Sequence, residues 1–190
     1  MATAIMVDVA GGLPLQPARF LAREAGLRIE RLPWFYTQDI CAAVLGRGED
    51  AYARARGGLA RWTMFDLGWT RVANPEAQIK LGAVVAVEAR TLGLWTVNLS
   101  RIVEVIDEPD KYGFIYQTTE MHVEQGEERF LVWMLPETGE VRYEVEAVSR
   151  PRDAVARMFY PVARHFQAKF RVDTVTRMQR EVSTEADRAC

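Results

Sequence analysis

The rhythm of apolar and polar residues changes twice along this chain. Between Glu49 and Phe65, Tyr52, Ala55, Leu59 and Trp62 recur at three- and four-residue steps. That spacing gathers them on one narrow helical face and turns Arg54, Arg56 and Arg61 elsewhere. Gly57-Gly58 weakens the middle of this helix by about 1 kcal/mol per glycine relative to alanine, so close packing against another element is expected there. From Gly82 the period becomes two. Val84–Arg90 reads as a strand, Leu92-Gly93 as a turn, and Leu94 onward runs through Asn98 into Arg101–Asp107. After the turn Glu108-Pro109-Asp110-Lys111, Tyr112, Phe114, Tyr116 and Thr118 share one face of a strand.

A further strand, Glu128–Leu135, sets Glu128, Phe130, Val132 and Met134 against Arg129, Leu131, Trp133 and Leu135. Pro136-Glu137-Thr138-Gly139 supplies hairpin chemistry, with proline preset for the turn and glycine free to take positive φ. Beyond it Val141, Tyr143, Val145 and Ala147 oppose Arg142, Glu144 and Glu146, the alternation of a sheet wet on one side. Five or six strands joined by short turns, with no helix between them, imply an antiparallel meander.

The last element is helical again. Ser149 is a candidate cap, Pro151 suits the first turn and Asp153 complements the dipole. Val155, Phe159, Val162, Phe166 and Phe170 form one stripe, with Arg157, Arg164 and Arg171 on the opposite side as a solvated face. Pro161 removes a backbone hydrogen bond, and a kink is expected there. Past Phe170 the stripe shifts: Val175, Met178 and Val182 fall almost opposite it. Either the helix breaks near Val172-Asp173, or these residues offer an apolar surface, with a homodimer as the simplest partner.

The pattern describes one α+β domain, a curled antiparallel sheet closed over an apolar interior by a long C-terminal helix. Residues 1–30 read as a partly helical extension, with a short helix over Ala18–Ala25, residues 31–182 as the domain and residues 183–190 as a frayed tail. Leu27–Tyr36 reads as an edge strand because of Pro33. The length of 190 residues permits a substantial core. A formal net charge of -2 supplies no global field to recruit nucleic acid. Two cysteines, Cys41 and Cys190, make no disulfide framework, and the apolar start is too short and interrupted to span a bilayer. A cytoplasmic protein without stable membrane insertion is the expectation.

Chemistry-bearing motifs are sparse. The two histidines, His122 and His165, make no metal-ligand spacing with another His or Cys, and there is no GxSxG elbow, P-loop or GxGxxG. No metal and no cofactor are expected. The densest polar cluster is His122, Glu124, Glu127, Glu128 and Arg129. It reads either as the polar mouth of a cavity, where His122 and Glu128 are candidates for acid–base work, or as a solvated turn. Trp95, Tyr112, Phe114, Tyr116 and Phe130 on the sheet, with Phe159 and Phe166 on the helix, either line a ligand cavity or fill a core.

Taken in order, several segments carry a resemblance. They are Leu45-Gly46-Arg47-Gly48, Trp62-Thr63-Met64-Phe65-Asp66-Leu67-Gly68-Trp69, Leu92-Gly93-Leu94-Trp95 and Tyr112-Gly113-Phe114-Ile115-Tyr116. His122-x-Glu124-x-Gly126-Glu127-Glu128-Arg129-Phe130, Ser149-Arg150-Pro151, Pro161, Gln167 and Phe170 follow. From about Ala42 to Arg180 the chain resembles an uncharacterised domain-of-unknown-function family of bacteria and plants, placed in the START-like (SRPBCC) helix-grip superfamily with the birch-pollen allergens and lipid-transfer domains. It departs from the family pattern at Gln117 and Met121, where glycines are usual. The resemblance implies a curved sheet of about six or seven strands wrapped around a long C-terminal helix. It also implies a cavity between them for a small apolar or amphipathic molecule. An enzyme of cyclase, dehydratase or isomerase type using His122 and Glu128, and a protein-interaction module using the Val175, Met178 and Val182 patch, are the alternatives.

Overall fold

The structure, a computed structural model, describes residues 5–8, 36–119, 124–151, 158 and 160–183. Eight strands form one sheet: β1 (Ile5–Asp8), β2 (Thr37–Arg47), β3 (Thr70–Val72), β4 (Val84–Thr91), β5 (Leu94–Glu108), β6 (Lys111–Thr118), β7 (Glu124–Met134) and β8 (Glu140–Pro151). Their spatial order is β1-β2-β8-β7-β6-β5-β4-β3. Strands β2 to β8 pair antiparallel throughout, and β1 adds a parallel edge to β2 that periodicity did not suggest. The expected helix over Ala18–Ala25, and Leu27–Tyr36 apart from Tyr36, lie outside the described residues.

The β3–β8 stretch is the meander that the turns imply. Leu92 and Gly93 both take positive φ, 52° and 85°, in the two-residue turn joining β4 to β5. A tight hairpin turn of this kind matches the twist of the strands but strains a residue that carries a Cβ, so Leu92 is held in a costly conformation. Register shifts between Val44 and Gly46 and between Ile102 and Glu104 help the long strands β2 and β5 bend.

Helix α1 (Glu49–Ala60) follows β2. Its buried face carries Tyr52, Ala55 and Leu59, as its spacing predicts, but it stops five residues before Phe65. Trp62 turns the chain with φ of 62° and a short 3-10 turn, Thr63–Phe65, takes over. The reversal buries the Trp62 ring while its indole N–H donates to the Ala77 carbonyl at 2.9 Å. Gly58 marks where α1 meets helix α2 (Tyr160–Val182): a Cβ there would stand 3.0 Å from Cγ of Glu181 and 3.5 Å from Cε of Met178.

Helix α2 departs from expectation past Phe170. It runs unbroken through Val172-Asp173 to Val182. Its described part begins one residue before Pro161, so the turn that a kink there would bend lies outside the described residues. Val175, Met178 and Val182 are buried in the same core as Leu59, Met64 and Tyr143, so they offer no dimer surface. The helix lies in a curved sheet, and the direction of its contacts rotates along its length. The C-terminal half packs on α1 and β2. The N-terminal half, with Val162, Phe166 and Phe170, borders a space that β4–β8 line on the other side. Arg54 Nε donates to the Val182 carbonyl at 2.8 Å, satisfying one of the helix's last acceptors.

The outer face of β8 is not wet either. Glu144 and Glu146 are buried, and Arg129 Nη2 reaches both, at 2.5 and 2.7 Å. Gln38 Nε2 donates to Glu146 at 2.6 Å. Burial pushes the Glu146 carboxyl above its ordinary value, outweighing Arg129, which it shares with Glu144, and Gln38. Between the ordinary and the raised value the folded chain binds more protons than the unfolded one. The stability from Glu146 is therefore fully present below about pH 4.5 and is lost as pH rises through the raised value. Glu146→Gln should gain stability relative to the parent as pH rises above about 4.5 in urea titrations. A relative loss over that window would mean that Arg129 holds the carboxylate ionised.

Candidate functional site

The concave face of the sheet carries two tiers of side chains. The lower tier is packed core. Phe114 and Phe130, paired in register on β6 and β7, stack with centroids 5.2 Å apart. Phe65 closes on Phe130 at 5.3 Å, and Trp62 meets Phe114 edge-on at 5.2 Å. Tyr112 continues this face and lies beneath the Arg56 guanidinium, 4.7 Å from its ring centre.

The upper tier leaves space. A pocket of about 430 Å³ lies between β4–β8 and the first half of α2. Its aromatic walls are Phe65, Trp69, Tyr116, Phe166 and Phe170. Phe65 and Phe170 are stacked at 5.4 Å, and Trp69 reaches Phe166 at 5.8 Å and Phe170 at 6.5 Å. Leu92, held in its left-handed conformation, stands at the rim.

Two anchors hold α2 over this space. Trp69 Nε1 donates to Asp173 Oδ2 at 2.7 Å. Asp39 of β2, itself buried, receives Arg164 through both of its oxygens, the Nη2–Oδ1 bond at 2.7 Å, and Arg171 Nη1 at 3.3 Å. The arginines expected on a solvated face therefore turn inward at Arg164 and Arg171, because the sheet presents a buried carboxylate to that side of the helix. Arg157 lies outside the described residues.

Polar groups enter the pocket at defined positions. One rung across the sheet runs Tyr116, Glu128, Ala147, Asp39. The Tyr116 hydroxyl donates to Glu128 Oε2. Burial, reinforced by the Glu128 charge, raises the Tyr116 phenol well above its ordinary value, so it stays a donor. Tyr143 is raised in the same way, burial again leading, and bonds Thr174 at 2.9 Å. The next rung supplies Ser100, Thr118 and Ser149. Thr118 Oγ1 bridges to Gly126, accepting from its N–H at 2.9 Å and donating to its carbonyl at 3.2 Å.

Of the residues singled out by sequence, the structure brings Tyr116, Glu128 and Phe166 to the pocket. Tyr112, Phe114 and Phe130 sit in the packed tier below. Trp95 does not reach the interior: it is exposed on β5 under the Arg71 guanidinium, 4.8 Å from its ring centre. It follows the strained turn directly, and its strand position faces out. His122 and Phe159 lie outside the described residues. Sequence reasoning missed Phe65, Trp69, Phe170, Arg171 and Asp39 as site residues. Trp69 follows the short 3-10 turn with no periodicity to place it, and the Asp39–Arg171 pair joins positions far apart in the chain.

Among the described residues no helix is long and apolar enough to cross a membrane. The fold has counterparts among solved structures. Ara h 8.0201 superposes with a TM-score of 0.51 at 14% identity, over 77% of this chain and 97% of that one. The di-domain ARO/CYC BexL, from the BE-7585A biosynthetic pathway, superposes with a TM-score of 0.53 at 13% identity, over 80% of this chain and 52% of that one. With both, this chain shares an α+β architecture of a curled antiparallel sheet with a C-terminal helix. In sequence, a UPF0548 protein of Dictyostelium discoideum is 33% identical over 151 residues, 74% of this chain and 70% of its own length. Residues 22–177 match the family described as a domain of unknown function, DUF1990, and the chain belongs to that family.

Proposed function

We propose that this protein binds a small apolar or amphipathic molecule in the space between the curved sheet and the first half of α2. The observation that carries the reading is the pocket of about 430 Å³, walled by five aromatic rings and lying above a core that is already closed. That size falls in the range of small-molecule sites. A helix and a sheet that met only to bury apolar surface would close such a space, because interiors pack to crystal-like density. Ala163 faces the pocket, so Ala163→Trp fills part of it. Binding of the neutral fluorescent probe N-phenyl-1-naphthylamine should weaken at least about tenfold, roughly the 1.4 kcal/mol of one lost apolar contact set. Unchanged binding would place the ligand elsewhere.

A second reading is an enzyme of cyclase, dehydratase or isomerase type. Glu128, inward beside a phenol held protonated, is the observation in its favour, since a carboxylate and a donor on one rung suit proton transfer at an enolisable carbon. His122 remains a candidate partner. The likeness to the ARO/CYC protein is one of fold. Solvent deuterium exchange into 2-tetralone, followed by NMR, should exceed that with Glu128→Gln if the reading holds; equal rates would end it. A cytoplasmic setting is part of the proposal and rests on sparse cysteines, with Cys41 a buried free thiol.

A further inference from the structure

We infer that the molecule bound beneath α2 is an acid, an apolar body ending in a carboxylate, and that this carboxylate docks on the Arg171 guanidinium. The inference rests on the ligand-binding reading above and adds the chemistry of what is bound.

The inward face of α2 changes character along its length. In the packed half it carries Val175, Met178 and Val182. One helical turn before Val175, on the same face, stands Arg171, only 5% exposed and part of the pocket wall. A guanidinium carries five N–H donors and keeps its charge at any working pH. Arg171 uses little of that capacity. Among the described residues its one polar partner is Asp39, in an ion pair from Nη1 to Oδ2 at 3.3 Å. Arg164 already holds that carboxylate through both oxygens, the Nη2–Oδ1 bond at 2.7 Å. Two cations thus share one buried anion, and the cluster keeps a surplus positive charge at the pocket wall.

The neighbouring titratable groups do not cancel that charge. Cys41 lies two positions along β2 from Asp39, on the same face. Burial pushes its thiol above the ordinary value against the pull of Arg171, so it stays neutral. Tyr143, raised by burial and bonded to Thr174, stays a neutral phenol. Glu128 shares the rung of Asp39 with Ala147 between them. Two strand spacings, about 10 Å, separate the two backbones, and Glu128 turns Oε2 to Tyr116 on the side away from Asp39.

A buried cation is costly unless its donors are used. Arg164 alone answers Asp39, so the unused donors of Arg171 mark where a ligand supplies acceptors. A carboxylate matches the planar fork of a guanidinium, and a water-poor setting strengthens the charge-assisted bonds. Phe65, Trp69, Phe166 and Phe170 line the same space and suit an apolar body.

The test uses three probes with one ring system and different ends: 1-naphthylacetic acid, 2-(1-naphthyl)ethanol and 2-(1-naphthyl)ethylamine. Their affinities for the full chain are measured by calorimetry at neutral pH. The acid should bind at least about tenfold more tightly than the alcohol, and the amine most weakly. Arg171→Met should bring the acid down to the alcohol's affinity or below, while the alcohol and N-phenyl-1-naphthylamine bind as they do to the parent. Arg171→Lys, which keeps the charge without the fork, should retain only part of the acid's advantage and serves if Arg171→Met fails to fold. If the alcohol or the amine binds the parent as tightly as the acid does, or the acid keeps its full advantage in Arg171→Met, the inference is wrong while the ligand-binding reading stands. If neither the three probes nor N-phenyl-1-naphthylamine binds, that reading fails and takes the inference with it.

Discussion

Replacing Met178 by glutamate should abolish the cooperative unfolding transition, with a loss of about 4 kcal/mol or more. Met178 is fully buried where α2 crosses α1 at Gly58. The substitution removes a flexible apolar filler and places a carboxylate in its stead, one helical turn from Glu181. The Glu181 carboxylate is held below its ordinary value, Arg177 and Arg61 overcoming the effect of its own burial. Both arginines already bond Glu181, at 3.0 and 2.7 Å, which leaves the new charge to find a partner in an apolar core. Thermal denaturation followed by circular dichroism measures the loss. A variant that folds normally and changes only its size in light scattering would return Met178 to a surface.

Asp39→Ala should cost about 3–5 kcal/mol, the usual penalty for removing one partner of a buried ion pair. Asp39 and Arg171 are both buried, and the aspartate is the shared acceptor of two guanidinium groups. Without it Arg171 keeps its charge in a site built to answer it, and the first half of α2 loses its tie to β2. Urea titration gives the stability. Adding Arg171→Met should recover part of the loss, since the variant then buries an apolar chain of similar reach in place of an unanswered cation. A loss below about 1 kcal/mol for Asp39→Ala would be the behaviour of a solvent-screened surface pair.

Period and turn chemistry made most of the sheet legible. Val84–Arg90, Tyr112–Thr119 and Val141–Ala147 alternate because one side of each strand faces the core, and Leu92-Gly93 and Pro136–Gly139 mark their reversals. The buried face of α1 followed from Tyr52, Ala55 and Leu59 for the same reason. What could not be read was which element covers which face. Glu144 and Glu146 alternate as solvated residues do, yet both are buried, because Arg129 and Gln38 satisfy them. Val175, Met178 and Val182 point away from the Phe166–Phe170 stripe, and a single helical wheel assigns them to solvent. A curved sheet with α1 on one flank buries both sides at different heights. The aromatics divided for a related reason. Phe114 and Phe130 fill the core, while Tyr116 and Phe166 border the pocket, and only the position along the sheet separates the two groups.

Native mass spectrometry of the full chain purified from its own host tests most directly whether the space beneath α2 holds a small molecule. The expected result is a folded species carrying an added mass of a few hundred daltons, the size that a pocket of about 430 Å³ admits, released under collisional activation and absent from Ala163→Trp. A parent chain that flies at its bare mass, and that also fails to take up N-phenyl-1-naphthylamine in solution, would contradict it.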